Sequence, residues 1–394
     1  QLVEVMESSF TLDVLVIGGN GRVGASTVHW LNRLSGRSSG DQPLRLAIGG
    51  RSRANFDAVR RRLHLPELVF RPVDLEGGLE ALISAVRGAQ LVVHTAGPFQ
   101  GRSEPDLLRA CIAAGVPYCD VCDDFALSRQ AKTLSGEAAA VGIPAVVSCG
   151  IWPGVSALMA ARAVEQLGGP EACERVELSF FTAGTGGAGP TIVSATFLLL
   201  ASRVLTYVNG ALTYKQPWTE RRSIDFGPGV GEHACFLLDN PDVPTTVESL
   251  GVANCASRFG TAPGVWNSLF AAMKLLPREL LVNRAAMQGV ALFSMPIIRM
   301  VDKLVGATNA MRVDAVSQAL VGAGMPETVT LRCVHPDLED CVGQATAAFA
   351  LEILRGRSDP SCSDPTIPAG VWYPSELQAN ARNHILQVAR ENAL

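Results

Sequence analysis

The sequence lacks several patterns that define large classes of protein. It has no tract of basic residues and a formal net charge of −4, so binding to a nucleic-acid backbone is not expected. It has no uninterrupted apolar run of about 20 residues, the length that a membrane-spanning helix needs. Charged residues make up 18% and hydrophobic residues 48%, a composition typical of a globular protein. The mean hydropathy of +0.22 favours a large core, an oligomer interface or contact with a membrane.

Metal-binding and secretory patterns are also missing. Of the ten cysteines, Cys119 and Cys122 form a Cys-x-x-Cys pair, but no second such pair and no histidine pair accompanies them. We therefore expect no metal site and buried free thiols in a reducing compartment. The first ten residues have no apolar core, so no secretory signal is predicted, and the sequence leaves open whether a leader preceded Gln1.

The length of 394 residues predicts two domains and an α/β fold. In residues 1–150, strands and helices alternate, as in a Rossmann-type doubly wound parallel sheet. Residues 151–355 have longer loops between strands and indicate an α+β domain with a mixed or antiparallel sheet, for substrate or for interaction. Residues 356–394 are predicted to pack back on the Rossmann domain.

The apolar periodicity gives the expected elements. In the first domain, strands are predicted at 11–17, 44–48, 68–72, 91–95, 118–121 and 143–148, and helices at 23–34, 55–63, 79–86, 105–114 and 128–141. Beyond it, strands are predicted at 175–182, 211–215, 247–253 and 328–334, and helices at 155–167, 190–208, 265–276, 285–305 and 375–389.

A glycine-rich turn follows the first strand and opens the first helix. Its residues are Gly18, Gly19, Asn20, Gly21, Arg22, Val23 and Gly24. Gly19 would permit a tight turn, Gly21 would let a pyrophosphate approach the backbone, and Gly24 would let helix and strand pack closely. The flanking strand, helix and following β/α units make a dinucleotide site the favoured interpretation over a purely structural turn.

The end of the second strand predicts NADP rather than NAD. NAD-binding domains usually place an acidic residue there, whereas this chain has Arg51, Ser52 and Arg53. A guanidinium forms paired bonds to a phosphate, and a hydroxyl adds a donor. The alternative is that both arginines are solvated loop charges.

Three loops lie at the expected ligand edge or near it. The segment Ala96, Gly97, Pro98 and Phe99 follows the fourth strand and would run close to the nicotinamide ribose. Asp74 would lie near the adenine or would cap a helix, which is equally favoured. The glycine-rich stretch 182–190 would hold an anionic group or simply form a flexible entry to a helix.

Candidate acid–base groups follow the fifth strand. Asp120 and Asp124, with Asp123 between them, would raise the pKa of at least one carboxyl group by repulsion, and Tyr118 would donate a proton. The alternatives are helix capping for the carboxylates and burial for the tyrosine, and His94 is expected to be a core histidine. No Tyr-x-x-x-Lys pair follows the fourth strand, which disfavours a short-chain dehydrogenase.

The chain resembles the saccharopine dehydrogenase-like family, in particular its plant, algal and cyanobacterial branch. The segments that carry the resemblance are 16–24, 48–53, 96–99 with Cys111 and Gly115, 118–124, 150–156, 183–190, 257–261 and 370–374. The resemblance implies an NADP-binding domain, an α/β domain with a mixed sheet and a chloroplast location, soluble or peripheral to the thylakoid membrane. Trp152 stands where saccharopine reductases carry an aspartate, so saccharopine is not the expected substrate.

Two functions compete. The first is an NADP(H)-dependent oxidoreductase acting on an unidentified small or lipophilic molecule between the domains. The second is a non-catalytic NADP-binding subunit docked on a plastid membrane or a photosynthetic complex, which the apolar stretches 192–208 and 290–298 favour. Formation of a homo-oligomer is left open.

Overall fold

A computed structural model describes residues 12–35, 43–100, 102–187, 189–318, 326–358, 366–391 and 393. This part of the chain divides into two compact units. The first comprises the described residues up to Val155 together with Glu339–Ala389, and the second comprises Ser156–Leu338 and the described residues after Ala389. The sequence places the segment up to residue 355 in the second domain. The structure instead places residues 339–355 in the first unit, because their helix packs on that unit's own elements.

The first unit is built on a parallel sheet of seven strands within the described residues. The strands, numbered along the chain, are β1 Leu12–Ile17, β2 Leu46–Gly50, β3 Val69–Pro72, β4 Ala89–His94, β5 Tyr118–Asp120, β6 Pro144–Val146 and β15 Gly370–Trp372. Their order is β15-β6-β5-β4-β1-β2-β3, and the predicted doubly wound sheet is therefore confirmed. The interior strand β1 is almost wholly buried, as expected for a parallel strand that is covered on both faces.

Helices cover this sheet. They are α1 Arg22–Ser35, α2 Arg53–Leu63, α3 Leu79–Val86, α4 Asp106–Ala114, α5 Phe125–Lys132, α6 Ser135–Ala140, α13 Leu338–Ser358 and α14 Ala379–Ala389. The helix expected at 128–141 is divided into α5 and α6, and the one expected at 375–389 begins as a short 3₁₀ turn, Pro374–Glu376. Neither α13 nor β15 was predicted as an element.

The second unit contains a mixed sheet of eight strands among its described residues. Its strands are β7 Cys173–Ala183, β8 Val204–Val208, β9 Ala211–Lys215, β10 Arg222–Asp225, β11 Glu232–Leu237, β12 Asn254–Ala262, β13 Thr308–Ser317 and β14 Thr328–His335. Its helices are α7 Val155–Gln166, α8 Pro190–Leu199, α9 Asp242–Leu250, α10 Val265–Met273, α11 Arg278–Leu281 and α12 Arg284–Val305. Only β7 and β12 pair in parallel, so the predicted mixed sheet is confirmed.

Two sequence predictions in the second unit are wrong. The helix expected at 190–208 ends at Leu199, and its last part is β8, which forms a hairpin with β9. Asn209 and Gly210 connect the strands with positive φ of 52° and 76°, as a two-residue hairpin turn requires. The strand expected at 247–253 is mostly the end of α9, which terminates at Gly251 in the left-handed region.

A buried ion pair joins the two parallel strands of the second sheet. Arg258 on β12 is 2% exposed and pairs with Glu177 on β7. Glu220 adds a longer contact to the same guanidinium at 3.4 Å. A buried arginine requires such partners because an uncompensated charge is costly in the interior.

The cysteines follow the sequence prediction where the structure describes them. Nine are described, all of them as free thiols, and only Cys333 is not fully buried. None of the helices in the described ranges is long and apolar enough to cross a membrane.

Candidate functional site

The turn between β1 and α1 exposes backbone rather than side chains. Gly18 has a φ of +85°, and Gly21 donates its N–H to the Gly18 carbonyl at 2.8 Å. The motif predicts the tight turn at Gly19, but the residue with positive φ is Gly18. Gly19 is required for another reason, because a Cβ there would lie 2.6 Å from Cγ1 of Ile48.

Gly24 and Gly21 have different surroundings. A Cβ on Gly24 would lie 2.4 Å from the Gly18 carbonyl oxygen and 2.5 Å from Oγ1 of Thr95, so α1 touches β1 and the end of β4 at this residue. A Cβ on Gly21 would meet only the Gly18 carbonyl, at 3.2 Å, and Gly21 is exposed. The turn is thus closed toward the sheet and open toward solvent, where the first N–H groups of α1 attract an anion.

The end of β4 forms the neighbouring wall. Both the backbone N–H and the hydroxyl of Thr95 donate to the Ile17 carbonyl, at 2.8 and 2.9 Å. Ala96 follows so closely that a Cβ on Gly18 would lie 2.6 Å from its backbone nitrogen. The predicted segment Ala96–Phe99 therefore begins directly beside the glycine turn.

The rest of that segment divides into an exposed and a buried part. Gly97 and Pro98 are exposed and are joined by a cis peptide bond. Phe99 is buried, packs with Cys122 and Leu127, and lies edge-on to the ring of His94 at 4.8 Å. Ala96 and Gly97 can therefore line a cofactor site, while Phe99 anchors the loop to the core.

Asn20 links the glycine turn to the loop after β2. Its Nδ2 donates to the Ser52 carbonyl at 3.2 Å. Its Oδ1 is buried and accepts no hydrogen bond from the described residues. An unsatisfied buried acceptor is costly, and a hydroxyl of a bound nucleotide ribose would supply the missing donor. This orphaned oxygen and the bare turn fit a dinucleotide.

The three residues predicted to bind a 2′-phosphate differ in what they contact. Arg51 is exposed and forms no ion pair with the described residues. Ser52 caps α2 by accepting from the Asn55 N–H at 3.2 Å. Arg53 pairs with Asp57 at 3.4 Å and lies over the ring of Phe56. Arg51 and the N-terminus of α2 are thus the groups most available to a phosphate.

Arg22, the one basic residue of the turn, has a partner that the sequence analysis missed. Its Nε pairs with Glu339, the second residue of α13, whose side chain is 9% exposed. The next residue, Asp340, accepts from Nε1 of Trp30 at 2.8 Å. The first turn of α13 therefore holds α1 and orients the arginine beside the turn. No local signal reveals this contact, because more than 300 residues separate its partners.

Asp120 and Tyr118, both predicted to be catalytic, lie in a buried chain of hydrogen bonds. The Tyr118 hydroxyl donates to Oδ2 of Asp120 at 3.0 Å and lies 3.0 Å from Nδ1 of His94. Oδ1 of Asp120 accepts the backbone N–H groups of Ser148 at 2.7 Å and Cys122 at 3.0 Å. Both oxygens of the carboxylate are thus engaged, and they tie together the ends of β5 and β6.

Burial dominates the protonation of this chain. It raises the pKa of Asp120 to about 6, against the opposing effect of the three hydrogen bonds that the carboxylate accepts. Burial lowers the pKa of His94 to about 3, so the ring is neutral near pH 7. The pKa of Tyr118 lies well above its usual value, chiefly for the same reason. A cavity of about 20 Å³, enough for about one water molecule, adjoins these side chains.

The remaining predicted carboxylates have local structural contacts. Asp124 caps α5 by accepting from the Leu127 N–H at 3.0 Å, the alternative that the sequence left open. Asp74 is exposed and accepts from the Glu76 N–H at 3.2 Å, which forms a turn after β3 rather than a helix cap. Their roles in catalysis and in adenine binding stay predictions.

The glycine-rich stretch 182–190 does not fit an anion site. Thr185 donates from its backbone N–H and its hydroxyl to the two carboxylate oxygens of Asp302. A Cβ on Gly187 would lie 2.4 Å from Oδ2 of Asp337. Two carboxylates therefore face this loop and would repel a second anion. Ala188 lies outside the described residues.

A family model matches the N-terminal part of the first unit. Residues 14–146 match the family model of the saccharopine dehydrogenase NADP-binding domain. NADP is the cofactor of this domain. The predicted cofactor is thus confirmed, and the matched residues include the glycine turn and the arginines after β2.

The chain is also similar to solved structures, one of which has a TM-score above 0.5. An apo histidine-tagged saccharopine dehydrogenase (L-Glu forming) from Saccharomyces cerevisiae has 12% identity, with 95% of this chain and 96% of that chain covered and a TM-score of 0.64. A meso-dapdh mutant with DAP from Clostridium tetani E88 has 10% identity, 94% and 96% coverage and a TM-score of 0.45. A search of curated protein sequences finds no match. The protein therefore shares the overall fold of that saccharopine dehydrogenase.

We predict that Gly21→Ala removes cofactor binding without unfolding the protein. Its Cβ meets only the Gly18 carbonyl oxygen, at 3.2 Å, which a shift of a few tenths of an ångström relieves. It occupies the open face of the turn, so the affinity for NADPH should fall by about tenfold or more. The free energy of unfolding should change by less than about 1 kcal/mol. Fluorescence titration and urea denaturation measure the two effects. Gly136→Ala, in the exposed α6 with no atom within 4 Å, is the matched control. Unchanged NADPH affinity in the Gly21 variant would contradict the site.

We predict that Arg51→Ala weakens NADPH binding much more than NADH binding. A guanidinium contact with a phosphate is worth about 1.5–3 kcal/mol, or about tenfold to a hundredfold in affinity, and NADH lacks that phosphate. Arg53→Ala should have a smaller effect, since Asp57 and Phe56 already engage that side chain. Parallel titrations with the two nucleotides decide the question, and an equal loss for both would remove Arg51 from the phosphate site.

We predict that Asp120 makes the folded protein less stable as the pH rises. Its folded pKa of about 6 lies above its ordinary value of 3.8, so its contribution to stability is present below about pH 4 and is lost through pH 6. Asp120→Asn keeps an acceptor for both backbone N–H groups and cannot ionise. Relative to the parent, it should gain up to about 3 kcal/mol between about pH 4 and pH 7 in urea denaturation.

Asp124→Asn is the control for this prediction, because asparagine caps a helix about as well as aspartate. A gain in stability that only Asp120→Asn shows is therefore specific to Asp120. If Asp120→Asn also follows the parent profile at every pH, the carboxylate does not titrate in this range.

Proposed function

We propose that the protein is an NADP(H)-dependent oxidoreductase that acts on an organic substrate other than saccharopine. One observation carries the proposal: a bare glycine turn, Gly18–Gly24, lies one strand away from Arg51, an exposed arginine without an ion-pair partner among the described residues. This pairing fits a diphosphate and a ribose phosphate at the spacing of neighbouring strands. Bound NADPH would supply a hydride to a carbonyl or imine carbon.

The residues of the chain would bind and orient the cofactor. The N–H groups at the start of α1 bind the diphosphate, and Arg51 with the N-terminus of α2 binds the 2′-phosphate. Glu339 keeps Arg22 beside the turn. Asp120 fixes the ends of β5 and β6 through the backbone N–H groups of Cys122 and Ser148, and so acts as a positioning residue.

The sequence around the ligand edge supports a substrate other than saccharopine. Trp152 precedes Pro153 and Gly154, where the resembling reductases carry an aspartate. The stretch Asp120–Asp124 also differs from the Asp-x-x-Gly-Glu pattern of that family. The chloroplast location stays a prediction of the resemblance.

A second candidate function is that of a non-catalytic NADP-binding subunit. The observation that favours it is that all three predicted catalytic side chains are already engaged. Tyr118 and Asp120 bond to each other, and Asp124 caps α5. A general acid or base must reach the proton that it transfers, and these contacts hold the groups inside the unit.

A binding assay followed by a turnover assay distinguishes the two functions. We expect the purified full chain to bind NADPH and to oxidise it with at least one member of a panel of aldehydes, ketones and imines, and not with the products of saccharopine cleavage. Gly21→Ala is the control, since turnover that depends on the site must fall with cofactor affinity. Binding of NADPH without oxidation by any member of the panel would support the subunit, and turnover of saccharopine would overturn the proposed substrate class.

A further inference from the structure

One segment of the second unit carries most of the large apolar side chains that the described chain exposes. Of 19 such residues, 13 lie between Val265 and Val305, in α10, α11, α12 and their connections. Leu275, Phe293 and Leu304 are 87%, 83% and 79% exposed and therefore project almost fully from the surface. Scattered single apolar residues are normal on a surface, but a contiguous segment of them marks an interaction site.

Helix α12 has two apolar faces. Its inner face packs into a core cluster with Val193 and Phe197 of α8, and consists of Met287, Ala291, Met295 and Ile298. Its outer face is exposed and consists of Phe293, Ile297, Met300 and Leu304. These four recur at intervals of four, three and four residues, so they form one stripe along the helix. The inner packing requires only the first face, and the outer stripe therefore serves another contact.

The net charge of this segment is opposite in sign to the net charge of the whole chain. Between residues 265 and 305 there are five basic residues and two acidic ones, a net charge of +3 in a chain of net charge −4. The basic residues are Lys274, Arg278, Arg284, Arg299 and Lys303. One of the two acidic residues, Asp302, accepts hydrogen bonds from Thr185 and is engaged within the unit. The exposed apolar stripe is thus flanked by cations.

We propose that residues 265–305 form a surface that binds an anionic lipid bilayer, with the outer stripe of α12 and Leu275 inserted at the level of the headgroups. An apolar helix face bordered by lysine and arginine is the pattern of interfacial membrane binding. Two copies of this chain would bring like charges together, which disfavours a symmetric dimer through the same face. The strongly projecting side chains also carry no polar atoms, unlike the tyrosine- and arginine-rich cores of protein interfaces.

Vesicle flotation of the full chain tests this proposal. We expect the protein to float with vesicles of phosphatidylcholine containing about 30 mol% phosphatidylglycerol, and to bind pure phosphatidylcholine vesicles about tenfold less. Sodium chloride at about 0.5 M should reduce the binding, since it screens the contribution of the cations. Phe293→Ser combined with Leu304→Ser should reduce binding about tenfold by removing the projecting apolar groups, and Arg299→Glu combined with Lys303→Glu should do so by reversing the charge.

Leu212→Ser is the matched control, because this exposed leucine lies on β9, outside the segment, and its variant should float like the parent. Thermal unfolding and NADPH titration confirm that each variant is folded. Parent protein that stays in solution with both vesicle types overturns the proposal. Self-association that Phe293→Ser abolishes, without flotation, would assign the face to a second copy. Equal flotation of the parent and both double variants would place the lipid contact elsewhere.

Discussion

The candidate site depends on one contact, in which α1 approaches β1 and the end of β4 with no side chain between them. At Gly24 the helix lies against the Gly18 carbonyl and the Thr95 hydroxyl, at distances that leave no space for a Cβ. This approach brings the first N–H groups of the helix directly over the carboxyl edge of the sheet. The cofactor site is therefore made mainly of backbone. Side chains around it, such as Arg51 and Asn20, add to its preference for one nucleotide over another.

Local patterns determined how much the sequence could predict. The alternation of strands and helices in the first 150 residues, and the motif that opens α1, depend on neighbours in the chain and were identified correctly. The sequence did not show which glycine adopts the left-handed conformation, because this depends on how Ile48 and Ala96 lie against the turn. The signal for the β8–β9 hairpin was present in Asn209 and Gly210, but the apolar run before it was interpreted as one helix.

Contacts between residues that are far apart in the chain could not be predicted from the sequence. Tyr118 and Asp120 lie on β5, which ends at the ligand edge, so their position was predictable. Their hydrogen bonds to Ser148 and His94 depend on how β4, β5 and β6 align, and the sequence does not show that these bonds engage the predicted acid–base group. The mean hydropathy of +0.22 left three explanations open, and the outward-facing apolar residues of α12 account for part of it without any contribution from a core.

The discontinuity of the first unit has a consequence for the order in which the protein is made. Two elements of the first unit come after residues 156–338 of the second unit in the chain. They are helix α13, with Glu339, the partner of Arg22, and strand β15. A ribosome releases the glycine turn early, yet the carboxylate that orients its arginine emerges only after nearly 320 further residues. Until β15 has been synthesised, β6 lacks the neighbour that covers its edge in the finished sheet. The nucleotide pocket can thus be completed only after residues 339–372 have been translated.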